Sequence, residues 1–180
     1  MLDIPRSLDL RHPRLTERGR GQVRAIKEVV RVTDEDLVLA SPTTRTIETA
    51  SLLCSDARPR RYVSPIVGPR MFPQDPKFNP LACDEPLDPE TLSREFSEYQ
   101  LHPDQADSEI WSGINQIPAD RFAQAAPELL RWCKQTNSLR VIIVSHDGTI
   151  HNYRELLGEG NLTRASFLGP AGLHQVRIAS

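Results

Sequence analysis

Leu37-Val38-Leu39-Ala40-Ser41-Pro42-Thr43-Thr44-Arg45-Thr46-Ile47-Glu48-Thr49-Ala50 is the stretch that decides the fold. Its first four residues form an unbroken apolar run, which fits a short strand buried on both faces. The run passes directly into a polar turn, Ser41 to Arg45. A helix follows, with Ile47, Ala50, Ser51 and either Leu53 or Cys54 on its inner face. The same grammar recurs near the other end of the chain. Leu139-Arg140-Val141-Ile142-Ile143-Val144 is the strongest strand in the sequence and leads into Ser145-His146-Asp147-Gly148. A helix then runs through Ile150, Tyr153, Leu156 and Leu157 and stops at Gly158 and Gly160.

Working outward, Thr16 reads as the N-cap of an earlier helix, with Glu17 in its first turn. Val23, Ile26, Val29 and Val30 give that helix one buried stripe, and it ends before Thr33-Asp34-Glu35-Asp36. The residues before it mix Pro, Arg and Asp. Leu2, Ile4, Leu8 and Leu10 are apolar there, but Pro5 and the charges argue for a loop. Residues 56–107 are rich in proline and read as an insertion within the domain, with a lid as its expected role. Tyr62-Val63 is a short strand in it. Asp88-Pro89-Glu90 opens a short helix, with an N-cap, a first-turn proline and an acid. Ala119 to Gln135 reads as an amphipathic helix, interrupted by Pro127. Gln175 to Ile178 reads as a last strand.

Helices thus alternate with strands. The expected architecture is α/β, a three-layer sandwich around a mostly parallel sheet. The 180 residues suit one domain, 1–180. A net charge of −2 argues against a general nucleic-acid or anionic-membrane binder. The longest aliphatic run, Val141–Val144, is far too short for a membrane span. The N-terminus has no apolar signal-peptide region, and three scattered cysteines suggest no disulfide framework, so a cytoplasmic protein is expected. No cofactor is indicated, nor any metal. Basic residues are almost all arginine, 19 against 3 lysines. That bias fits genome composition, and it also fits binding of phosphate or carboxylate.

In open α/β sheets, ligands bind beyond the carboxyl ends of the strands. Both strand–helix turns therefore face one crevice. Ser41, Thr43, Thr44 and Arg45 come from the first turn, Ser145 and His146 from the second. Free N–H groups at two helix starts add a preference for an anion.

These residues resemble a known family. Leu15–Gln22 (LTERGRGQ), Ala40–Ala50 (ASPTTRTIETA) and Ile143–His151 (IVSHDGTIH) look like the LTxxGxxQ, SPxxRTxxTA and VSHG motifs of the histidine phosphatase superfamily, in that order. Ala82–Phe96 also resembles a stretch of its mutase-like members. The resemblance implies a phosphoglycerate-mutase-like fold. It implies that Arg45 binds phosphate and that His146 is the second pocket histidine. A nucleophilic histidine in an Arg-His-Gly motif and a proton-donating carboxylate complete such sites. Arg11-His12-Pro13 is similar to that motif, which makes His12 a candidate nucleophile. Only Pro13 and Arg14 separate His12 from Leu15, however, and Pro13 lacks the N–H of a phosphate-cradling turn. The better alignment sets Arg11–Thr16 just before the LTxxGxxQ helix. Met1 then falls after the family nucleophile, and the first strand is expected to be absent. The family's glutamate is replaced by Ser64–Arg70, which has no carboxylate. Asp84 is the candidate substitute, ahead of Asp75 and Glu85.

The first functional expectation is phosphomonoester hydrolase-type chemistry on a small metabolite, phosphorylated or carboxylated. The second is a repurposed isomerase, lyase or cyclase, with His146 as acid or base and Arg45 holding a carboxylate. The third is a non-catalytic anion-binding module. A sheet lacking its first strand also leads to the expectation of strand exchange in a homodimer.

Overall fold

A computed structural model describes residues 9–75, 77, 80–103 and 108–177. Leu2, Ile4 and Leu8 lie outside them. The first helix, α1 (Glu17–Val30), starts where Thr16 Oγ1 accepts the Gly19 N–H at 3.1 Å. Its C-cap, Arg31, takes a left-handed conformation. Strand β1 (Leu37–Ala40) follows and is wholly buried. Helix α2 (Thr44–Leu53) comes directly after the Ser41–Thr43 turn. Thr46 Oγ1 closes that turn by donating within it, to the carbonyls of Ser41 and Thr43.

Strand β2 (Arg60–Val63), a 3₁₀ turn at Pro65–Val67, another at Ala82–Asp84, helix α3 (Pro89–Glu95) and strand β3 (Gln100–Leu101) come from the proline-rich stretch. That stretch is therefore built into the sheet and is not a plain loop. The expected cap of α3 is present, since Asp88 Oδ1 accepts the Thr91 N–H at 2.8 Å. Helix α4 (Ser108–Trp111) and helix α5 (Ala119–Gln135) lead to strand β4 (Val141–Val144) and helix α6 (Asp147–Leu156). Pro127 sits inside α5 without ending it. Residues 175–177 form no strand, and Ile178 lies outside the described residues.

The sheet has four strands in the order β3-β2-β1-β4, all parallel. Leu39 stands between Tyr62 and Ile143, and Val38 between Arg61 and Ile142. Because side chains alternate across a strand, one layer of the ladder feeds each face. Leu37 and Leu39 pack with Phe122, Ala126, Leu129 and Tyr153 from α5 and α6, along with Val141 and Ile143. Val38, Ala40 and Val63 pack with Ile47 and Ala50 of α2 and Leu92 of α3, along with Ile142 and Val144. The result is a three-layer α/β/α sandwich.

β1 is flanked on both sides, so the center of this sheet is continuous. Among the described residues β4 pairs only with β1, and all four β4 residues are half-buried.

At the amino ends of the strands, the fully buried Asp36 is held by Arg140, with contacts of 3.1 and 2.7 Å. Burial works to raise its pKa, but hydrogen bonds from Arg140 and Thr33 outweigh it and the carboxyl stays below its ordinary value. This pair joins β4 to the loop before β1 and lies at the far end of the strands from the crevice. None of the helices among the described residues is long and apolar enough to cross a membrane.

Candidate active site

The carboxyl ends of β1 and β4 lie side by side, in register from Leu37↔Val141 to Ala40↔Val144. Each strand continues into a turn that starts a helix. Adjacent strands therefore bring Ser41 and Arg45 against His146, about a hundred residues later in the chain. His146 is the N-cap of α6 and Arg45 lies in the first turn of α2.

The contacts form one chain. Arg45 Nη2 approaches His146 Nδ1 at 3.1 Å, and Ser41 Oγ lies 2.8 Å from His146 Nε2. A guanidinium can only donate, so Nδ1 carries the lone pair and Nε2 carries the proton. His146 Nε2–H therefore donates to Ser41 Oγ. On its other side Arg45 Nη2 donates to Asp84 Oδ1 at 2.9 Å, and Nη1 donates to the Cys83 carbonyl. Four sequence-predicted residues, Ser41, Arg45, Asp84 and His146, thus meet in one hydrogen-bonded line.

Burial removes water from His146, and the Arg45 charge adds to that effect; both press its pKa well below the ordinary imidazole value. His146 is neutral in the folded protein at neutral pH. The unfolded chain takes up its proton near pH 6.5, and the folded chain does so only at lower pH. Stability is therefore unaffected by this group above pH 6.5 and falls as the pH drops below it. Melting curves from pH 7.5 to 5 should show wild type losing more stability than His146→Gln. Parallel curves would contradict the assignment.

The other predicted residues have other surroundings. Ser145 Oγ donates to the Val67 carbonyl at 2.7 Å, tying β4 to the turn after β2. Thr44 is buried at the start of α2. His12 has φ of 50° and a buried Nδ1 without a hydrogen-bond partner among the described residues. Its neighbor Arg11 pairs with Glu85 at 3.1 Å, next to Asp84 in the chain.

Sequence reasoning did not foresee the contribution of Cys83, whose carbonyl accepts from Arg45, or the cavity beside Asp84. That cavity has a volume of about 390 Å³ and is lined by Arg11, Leu81, Asp84, Glu85, Asn115 and Gln116 among others. Apart from Arg11, its walls come from the proline-rich stretch and from the segment after α4. No short-range pattern joins those two pieces. Arg70 was also missed as a buried charge: it stacks on Phe122 with its guanidinium 4.3 Å from the ring center, and burial lowers its pKa to about 10. Among the described residues there is no group of three His, Cys, Asp or Glu that could hold a metal ion.

Residues 9–67 match the family model of the histidine phosphatase superfamily, branch 1. That segment, 59 of the 180 residues, is similar to the superfamily. The matched segment takes in α1, β1, the Ser41–Arg45 turn, α2, β2 and the 3₁₀ turn after it. A solved structure of the ecdysone phosphate phosphatase EPPase from Bombix mori, in complex with tungstate, superimposes with a TM-score of 0.54 at 16% identity. The match covers 93% of this chain and 75% of that one. An Escherichia coli protein assigned as an alpha-ribazole-5'-P phosphatase matches with a TM-score of 0.49 at 23% identity, over 85% of this chain and 73% of its own. No curated protein matches the sequence. The EPPase likeness establishes the phosphoglycerate-mutase-like fold.

Proposed function

We propose that this protein hydrolyzes phosphate monoesters of a small metabolite in the crevice between Arg45, His146 and Asp84. The observation that carries the reading is the line Asp84–Arg45–His146–Ser41 at the carboxyl ends of two adjacent parallel strands. A guanidinium offers a phosphate two parallel N–H donors and a full charge. The one N–H of the neutral imidazole, which donates to Ser41 Oγ here, becomes a third donor without a second charge when it is shared with the phosphate, and α2 and α6 both begin at this place. The superfamily match and the tungstate-bound phosphatase neighbor support an oxyanion as the ligand.

The chemistry follows from these positions. Arg45 and His146 hold the phosphoryl oxygens and stabilize the charge that develops on them. Water forms the new P–O bond as the ester P–O bond breaks. Asp84 gives a proton to the leaving alkoxide and takes one from the attacking water. The cavity beside Asp84 accommodates the alcohol part of the substrate.

Release of inorganic phosphate from a panel of phosphomonoesters tests the reading. Turnover that depends on Arg45 and Asp84 is expected. Folded wild-type protein that releases phosphate from no panel member would overturn it.

His12 receives no role as acceptor in this scheme, because Pro13 denies it a backbone N–H cradle. His12→Ala should keep turnover within about threefold of wild type, an effect below 1 kcal/mol. Complete inactivation of a folded His12→Ala variant, with an acid-labile phosphohistidine on wild type, would make His12 the covalent acceptor instead.

A further inference from the structure

We propose that Asp84 is an internal competitor for the phosphate seat, and that the arriving phosphate moves it from that seat to the leaving oxygen. The proposal rests on the reading of Arg45 as an anion-binding residue. A carboxylate is itself an anion, and Asp84 Oδ1 accepts from the same Nη2 that a phosphate would use, at 2.9 Å. The neighboring Cys83 carbonyl accepts from Nη1. The whole outer edge of the guanidinium is thus covered by one 3₁₀ turn, Ala82–Asp84. About a quarter of the Arg45 side chain is exposed, and about a fifth of the Asp84 side chain. The seat is accessible from solvent once the turn lifts.

The turn is anchored on both flanks. Leu87 N–H donates to the Pro42 carbonyl at 2.6 Å, fastening the chain after it to the turn after β1. Glu85 pairs with Arg11 at 3.1 Å on an exposed surface, where such a bond is weak. These anchors keep Asp84 near Arg45 at a high effective concentration, so a free anion of equal charge competes poorly. A phosphate dianion brings twice the charge and more oxygens. Once it is seated, Asp84 no longer accepts from Arg45 and is repelled by the phosphate oxygens. It remains tethered at the wall of the cavity that would hold the alcohol. The displacement therefore moves the carboxyl group from the phosphate seat to the side of the leaving oxygen.

Two readouts test this: titration with inorganic phosphate, and labeling of Cys83 by a thiol reagent, located by mass spectrometry. Cys83 is buried and belongs to the moving turn, whereas Cys54 and Cys133 lie in the two cores. With the latch closed about nine-tenths of the time, Asp84→Ala should bind phosphate about tenfold tighter than wild type while losing turnover. Asp84→Asn, which keeps the shape and loses the charge, should fall between them. Phosphate should speed labeling of Cys83 in wild type, and Asp84→Ala should show fast labeling without it. Weaker phosphate binding by both variants, or Cys83 labeling indifferent to phosphate, would overturn the proposal. If no form binds phosphate but Asp84→Ala still exposes Cys83, the latch stands and the anion-seat reading of Arg45 falls.

Discussion

Arg45→Ala should lower turnover of a phosphomonoester by about 10²-fold, as expected when one preorganized charge partner is removed. Arg45 touches three groups at once: Cys83 O, Asp84 and His146 Nδ1. Its loss removes the only cation in this hydrogen-bonded line and leaves two groups misdirected. Asp84 loses the partner that fixes its carboxylate. His146 loses the nearby charge that helps keep its pKa low, and its Nδ1 loses a donor. Arg45→Lys should recover part of the rate, because an ammonium restores the charge but not the two-pronged geometry. His146→Ala should do harm similar to Arg45→Ala. The fold itself should survive, since the Arg45 side chain reaches outward from α2 into the crevice and is partly exposed. Steady-state rates on a chromogenic aryl phosphate, with melting curves as a control, measure this. Unchanged rates in both alanine variants would remove Arg45 and His146 from the site.

The parts of this molecule that could be read from sequence are those with local causes. Leu37–Ala40 is a strand because four apolar residues in a row need cover on both faces, and the structure buries all four. Thr16 and Asp88 announce helix starts because a short side-chain oxygen reaches an N–H three residues on, and both caps form. The convergence of Arg45 and His146 was also legible, since parallel strands put their turns at one end. Gln100–Leu101 was not, because two residues are too few to show a period. Nor could any pattern show that Ser145 turns to Val67, or that Asp84 crosses 39 residues to meet Arg45. Those contacts depend on how the proline-rich stretch folds back over the sheet.

Gly148→Ala carries the larger expected cost to the fold, and its cause is one close approach. A β-carbon on Gly148 would lie 2.1 Å from the Arg70 carbonyl oxygen, 3.1 Å from Phe72 N and 3.2 Å from the Arg70 carbonyl carbon. All three are backbone atoms, so no side chain can rotate away to make room. The approach is held from several sides. Arg70 N–H donates to Thr149 Oγ1 at 2.9 Å, Thr149 Oγ1 donates to the Gly68 carbonyl at 2.5 Å, and Asn152 Nδ2 donates to the Met71 carbonyl at 3.1 Å. A methyl group must push the chain at Arg70–Phe72 off the first turn of α6 and break part of this set. Overpacking costs about 1–3 kcal/mol, and each lost buried hydrogen bond adds about 1 kcal/mol. A total near 3 kcal/mol corresponds to a fall in Tm of roughly 6–12 °C for a domain of this size. Activity should fall as well, because His146 caps the helix that is displaced and takes its position beside Arg45 from it. Thermal melts and phosphate titration of the same variant check both effects. An unchanged Tm would show that α6 and the Arg70–Phe72 segment separate freely, and that Gly148 is not what brings His146 to the crevice.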